Sequence, residues 1–245
     1  MNKEAILDKV KQRLIDEFGK NILSAVVYGS TLGDDYYKAS DFDFLLIFQK
    51  VDFDTFKCLR EIKRELAEQD IVVDFNSHTL AELPQTRKGA FWHNNRGVYI
   101  QKELALYGRV LFGEVYFKDL TLKESDILLE TVRVVSSLNY QARKILSNKE
   151  LNMENRVVMM KWCIYGTMYV LAARGCFPSG RREALQIFNE QFAPEINPEV
   201  FLDIKINRPD KITMDDMKKA YDFLVYLDNV AYAMYEEKNG KGISD

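Results

Sequence analysis

The sequence predicts an α/β (α+β) half built on a short sheet, followed by an all-α helical bundle. Three observations carry that expectation. Up to about residue 115, short apolar runs bounded by turn residues alternate with helical periods. From Thr121 onward one helical period follows another with no strand between them. Between the two lies a change of composition that places the boundary near residue 118, giving expected domains 1–118 and 119–245. With 245 residues, 47% of them hydrophobic, the chain has enough apolar surface for two cores.

Ile6, Leu7, Val10, Leu14, Ile15 and Phe18 recur at helical spacing, and Gly19 stands where a helix ends with positive φ. The run Ala25-Val26-Val27-Tyr28 reads as a buried strand closed by Gly29-Ser30. A second strand is expected from Phe42 to Phe48, with Phe42, Phe44, Leu46 and Phe48 on one face. A helix from about Asp54 to Glu68 leads into a short strand, Ile71 to Phe75. After Thr79, Pro84, Gly89, Asn94, Asn95 and Gly97 break any long period, so loops and short helical pieces are expected. Arg109 to Phe112, between two glycines, supplies another short strand. In the second half, Thr121 and Glu124 have capping-box spacing ahead of a long apolar period. A helix from about Met153 to Arg174 is stopped by Gly175 and Pro178. Asn197-Pro198 suits a helix start, and Thr213 opens a last helix reaching about Lys238. That makes four or five helices.

Asp41 and Asp43 carry the chemistry. Strand side chains alternate and each residue rises about 3.3 Å, so the two carboxylates leave one face roughly 6–7 Å apart. Held that close they repel unless a proton or cation lies between them. Mg²⁺ resolves this simply, since it takes carboxylate oxygens and keeps positions open for phosphates. Gly29 lets backbone approach a phosphate, and Ser30 offers a hydroxyl and N–H groups to its oxygens. Asp74 adds a third carboxylate within the apolar run of a later strand.

In order and spacing, Gly29, Ser30, Asp41 and Asp43 resemble the signature of the nucleotidyltransferase superfamily of the DNA polymerase beta type. Asp74 falls where that family places its third metal carboxylate. The resemblance covers roughly residues 20–115 and implies a short mixed sheet. It further implies two Mg²⁺ ions held by Asp41, Asp43 and Asp74, ATP or another nucleoside triphosphate docked at Gly29 and Ser30, and transfer of a nucleoside monophosphate with release of pyrophosphate. In that frame Asp74 is a metal ligand, the base that takes the acceptor proton, or both. The helical half is similar in architecture to the substrate domain of kanamycin-type aminoglycoside nucleotidyltransferases and to HEPN-like proteins, which implies a small-molecule hydroxyl acceptor. HEPN-like ribonucleases use an Arg followed a few residues later by a His. Both histidines here, His78 and His93, lie outside the helical half, so ribonuclease activity is not expected.

The formal charge of −3 gives no global basic field and argues against a grip on long nucleic acid. Cys58, Cys163 and Cys176 lack metal-ligand spacing and are odd in number, which suits a reducing, cytoplasmic setting. No apolar stretch is long enough for a membrane span. His78 and His93 read as surface or loop histidines, and Trp92, Trp162, Tyr165, Met168 and Tyr169 as core. Lys144 and Lys161 are candidates for pairing with triphosphate, while Arg181-Arg182 reads as a pair at a helix start. Tyr221, Leu224, Leu227, Val230 and Tyr235 can pack within the bundle or across a homodimer. Two other functions fit the same residues: nucleotidyl transfer to a protein or RNA end, as in antitoxin-type enzymes, and a non-catalytic nucleotide-binding module.

Overall fold

The computed structural model describes residues 2–29, 32, 41–82, 97–116, 123–147 and 151–239, and backbone only for 97–100. It contains two compact units, Met1–Thr121 and Leu122–Asp245. Among the described residues no helix is long and apolar enough to cross a membrane.

In the first unit, helix α1 (Lys3–Phe18) starts where Asn2 accepts a hydrogen bond from the Ala5 amide at 2.8 Å, and ends at Gly19. Strand β1 (Ile22–Tyr28), β2 (Phe42–Phe48), helix α2 (Phe53–Ala67), β3 (Val73–Thr79), helix α3 (Gly97–Tyr107) and β4 (Arg109–Gly113) follow. Helix α2 is opened by a reciprocal cap between Asp52 and Thr55. The sheet order is β3-β2-β1-β4. Strands β2 and β3 are parallel, and β1 pairs antiparallel with both β2 and β4, so the sheet is mixed.

Alternation sorts the side chains to two faces. Ala25, Val27, Phe42, Phe44, Leu46 and Phe48 pack with Leu7, Val10 and Leu14 of α1 and Leu59, Ile62 and Leu66 of α2. The opposite face carries Val26, Tyr28, Leu45 and Ile47, joined by Leu104 of α3. Burial on both faces explains why β2 is almost uniformly apolar beyond Asp43.

Two expectations need correction in this unit. The third strand was anticipated at Ile71–Phe75, but pairing runs from Val73 to Thr79, alongside the whole of β2. Backbone bonding to a central strand overrides the polar text Asn76-Ser77-His78-Thr79. His78 consequently stands in the sheet beside Ile47 rather than in a loop, and burial lowers its pKa below the ordinary value. Part of the stretch expected as loops and short helical pieces forms the helix α3 of 11 residues. Ser30, Trp92, His93 and Thr121 lie outside the described residues.

The second unit holds α4 (Glu124–Ser147), α5 (Met153–Ala173), α6 (Arg181–Phe192), α7 (Glu199–Asn207) and α8 (Met214–Asn239). Helix α5 is its axis, packed against all four others, which is why it is apolar nearly all round, from Met159 to Ala172. Asn152 caps it, accepting from the Asn155 amide at 2.8 Å. Phe188, Phe201 and Phe223 form an aromatic centre, with Phe201 and Phe223 ring centroids 5.1 Å apart. Leu224 and Leu227 are fully buried within this unit. At the start of α7 the Asn197 side chain accepts from the Glu199 amide at 3.0 Å.

Helix α8 begins in a reciprocal cap. The Thr213 hydroxyl accepts from the Asp216 amide at 3.1 Å, and the Asp216 carboxylate accepts from the Thr213 amide at 2.8 Å. Arg208 adds a two-pronged contact to the same carboxylate, both distances 2.8 Å. Asp216 is 5% exposed, and the Arg208 guanidinium holds its carboxyl well below the usual range. A depressed folded pKa stabilises the fold above the ordinary carboxylate range, and that contribution is lost as pH falls through the folded value. Asp216→Ala is therefore expected to remove about 1–2 kcal/mol through the lost cap alone. Thermal melts at pH 7 and in acid test this: the gap between parent and variant should narrow at the lower pH.

Candidate active site

Strand directions bring distant residues together. Because β1 is antiparallel to β2 while β3 is parallel to it, the C-terminal end of β1 and the N-terminal ends of β2 and β3 meet at one end of the sheet. Gly29 follows β1 there, and its carbonyl accepts from the Leu32 amide at 3.1 Å. Asp41 is exposed just before β2, and the Phe42 amide donates to the Val72 carbonyl at 2.9 Å, extending the β2–β3 ladder to this rim. Asp43 is the register partner of Tyr28 on one side and of Asp74 on the other. Neighbouring strands lie about 4.8 Å apart, and residues in register share a face. Asp43 and Asp74 are thus lateral neighbours on the face opposite the α1–α2 layer.

Gly29 has φ of +77°, and a Cβ placed on it would lie 2.7 Å from Asp43 Oδ2. The glycine backbone and this carboxylate are in near contact, so a group cradled by one is within reach of the other. Asp74 receives the Lys63 ammonium of α2 at 3.0 Å, with both side chains about half exposed. An exposed pair of this kind exchanges cheaply for another cation.

Behind the acids sits Tyr28, 5% exposed. Its hydroxyl accepts a hydrogen bond from the Asn76 side-chain amide of β3. Burial, then the Asp43 carboxylate, push the phenol above its ordinary pKa, and Glu103 of α3 and Asp74 add to the effect while Asn76 opposes it. The hydroxyl stays protonated. Tyr28, Asn76, Lys63 and Glu103 were missed by sequence reasoning. The signal for Tyr28 was its parity with Val26, which puts it on the face of Asp43. Asn76 shares the parity of Asp74 but was read as lying beyond the strand.

Among the described residues, no three or more His, Cys, Asp or Glu side chains close into a metal cage. Mg²⁺ does not require one, since it is bound through one or two carboxylates together with substrate phosphates and water. Asp43 and Asp74, with Asp41 at the rim, are hard oxygen donors of the type this ion takes, and the missing Cβ of Gly29 leaves room beside them. The residues fit the ion. Ser30, expected to meet phosphate, lies outside the described residues. The other candidate cations belong to the helical unit. There the Lys144 ammonium stands 5.8 Å from the Tyr140 ring centroid, and Arg181 stands 5.8 Å from that of Tyr165.

Comparison with known proteins agrees with this architecture. Residues 7–104 match the family model described as a nucleotidyltransferase domain. Among solved structures, the chain is similar to spectinomycin adenyltransferase AAD(9) from Enterococcus faecialis, a structure with ATP and spectinomycin. The TM-score is 0.60 at 13% identity, over 94% of this chain and 100% of that one, which shows a shared fold. A second similarity, to a mutant of the toxin–antitoxin pair MntA–HpeT, has a TM-score of 0.30 at 14% identity, over 59% of this chain and 92% of that one. No curated protein matches the chain in sequence.

Proposed function

We propose, from the premise that residues 7–104 are a nucleotidyltransferase domain, that this enzyme transfers a nucleoside monophosphate, AMP from ATP, to a hydroxyl of a small molecule and releases pyrophosphate. The observation that carries the reading is the register. It sets Asp43 beside Asp74, with Gly29 backbone in near contact, at the end of the sheet where β1 finishes and β2 and β3 begin. Mg²⁺ bound there supplies charge neutralisation for the triphosphate and the departing pyrophosphate.

In this reading the backbone at Gly29 and the Ser30 hydroxyl receive phosphate oxygens. Asp41 and Asp43 would hold the Mg²⁺ that neutralises the triphosphate. The acceptor oxygen attacks the α-phosphorus, the bond from that phosphorus to the bridging oxygen breaks, and pyrophosphate carries away the electron pair. Asp74 takes the acceptor proton, helps hold the cation, or does both. When it acts, the Lys63 ammonium exchanges for solvent or for another charge. Acceptor recognition is assigned to the helical unit. An aminoglycoside-like acceptor is supported by the shared fold with an adenyltransferase whose structure contains spectinomycin. A cytoplasmic setting is supported by three cysteines that all remain thiols.

The test is pyrophosphate release from ATP and Mg²⁺ in the presence of a panel of aminocyclitols and aminoglycosides. Mass spectrometry of the acceptor should show the added nucleotide. Label appearing on RNA or protein instead would replace the small-molecule assignment. Asp74→Asn is expected to lower turnover about 100-fold or more, the scale of a well-placed base. Mn²⁺ binding then separates its roles, because a base alone leaves ion affinity unchanged and a ligand does not.

A further inference from the structure

Tyr28 and Asn76 meet across a strand that belongs to neither. Tyr28 is on β1, Asn76 is on β3, and β2 lies between them. Their register partners on β2 are Asp43 and Leu45 respectively. The hydrogen-bonded pair therefore spans β2 immediately inside Asp43, on the face that carries this carboxylate. The ring is 5% exposed, yet its polar end is surrounded by acid: Asp43 as cross-strand partner, Asp74 two residues before Asn76, and Glu103 from α3. A core tyrosine chosen for packing alone gains nothing from such a setting, and phenylalanine would fill the same space.

The direction of the bond is informative. The Asn76 amide donates to the phenolic oxygen, so the phenolic hydrogen is directed elsewhere. A hydroxyl has one hydrogen to give, and the strongest acceptors around it are carboxylates.

Among the described residues, the side-chain hydrogen bond of the Tyr28 phenol comes from Asn76, with Asp43 beside it as cross-strand partner and as a nearby charge. We propose that Tyr28, so anchored, is a positioning residue that turns its phenolic hydrogen to the Asp43 carboxylate when the divalent cation is bound and so fixes the oxygen that faces it. This rests on the reading of Asp43 as a cation-holding residue. Carboxylates that ligate metals are themselves held by hydrogen bonds, and loss of such a partner typically weakens metal affinity about 10- to 100-fold. The carboxylate also sits against the backbone of Gly29, the residue that follows Tyr28.

The test is Mn²⁺ binding, read from the electron paramagnetic resonance signal of free Mn²⁺ with a non-hydrolysable ATP analogue present, for the parent, Tyr28→Phe, Asn76→Ala and Asp43→Asn. Tyr28→Phe keeps the ring and removes only the hydroxyl. Its Mn²⁺ affinity is expected to fall about 10-fold, with a melting temperature near the parent's and with turnover regained as Mg²⁺ is raised. Asn76→Ala should shift affinity in the same direction by less, since it loosens the phenol without removing it. Parent-like affinity in both Tyr28→Phe and Asn76→Ala, alongside loss in Asp43→Asn, overturns the positioning role and leaves the site intact. Parent-like affinity in Asp43→Asn overturns the cation assignment itself. A Tyr28→Phe loss of turnover that extra Mg²⁺ does not restore, at unchanged Mn²⁺ affinity, also overturns the proposal.

Discussion

Asp43→Asn is expected to lower nucleotidyl transfer about 1,000-fold or more while leaving the fold standing. The size follows from the several kcal/mol that a Lewis-acid cation contributes to a phosphoryl-type transition state, at about 1.4 kcal/mol per factor of ten. The spared fold follows from the surroundings. Asp43 shares its face with Asp74, its cross-strand neighbour is the Tyr28 phenol, and Glu103 adds a third negative charge to that environment. Removing one charge from a group of like charges relieves repulsion, and asparagine keeps the shape and a carbonyl acceptor for the same contacts. The apolar packing of β2 begins one residue later at Phe44 and is untouched. Circular dichroism and a thermal melt should show a native protein with a melting temperature equal to or slightly above the parent's. Turnover with Mg²⁺ at its parent optimum should be near background. Unchanged turnover would remove Asp43 from the cation site, and a collapsed fold would show that the carboxylate serves structure instead.

How far the sequence revealed this arrangement differs from element to element, for physical reasons. Strands β1 and β2 were legible because they are central, buried on two faces and almost wholly apolar, so composition alone marks them. Helices α1 and α8 announced themselves through period and end signals, and α5, apolar nearly all round, through its stop at Gly175 and Pro178. Strand β3 was displaced in the sequence reading because it is an edge strand whose second half, Asn76 to Thr79, is polar. Its partner lies about thirty residues earlier in the chain, and parallel pairing leaves no local turn to betray the register. That displacement concealed Asn76. Tyr28 was hidden differently: an aromatic at the end of an apolar run reads as core, and its burial agrees with that reading, while its hydroxyl's neighbours come from other strands. The lateral neighbourhood of Asp43 and Asp74 needed the parallel register, which spacing along the chain does not contain. Lys63 needed helix α2 to be laid against β3 before its contact with Asp74 could be seen.

Gly29→Ala is the second substitution with a large expected effect, and Gly19→Ala is its control. Both glycines have positive φ, +50° at Gly19 and +77° at Gly29, where an alanine is strained by about 1–3 kcal/mol. They differ in what the added methyl group meets. At Gly19 nothing lies within 4 Å, whereas at Gly29 the methyl would stand 2.7 Å from Asp43 Oδ2. The two variants should therefore lose similar stability, a few degrees in melting temperature for a unit of this size. Only Gly29→Ala must also move the Asp43 carboxylate. Displacing a reacting-site group by about 1 Å costs on the order of 100-fold in rate. Turnover per folded molecule is expected to fall by about that factor in Gly29→Ala and to stay at the parent level in Gly19→Ala. Equal losses in both would assign the effect to backbone strain and would detach Gly29 from the site. Parent-like turnover in Gly29→Ala would mean that the carboxylate can yield without consequence, which is incompatible with its holding a cation against the triphosphate.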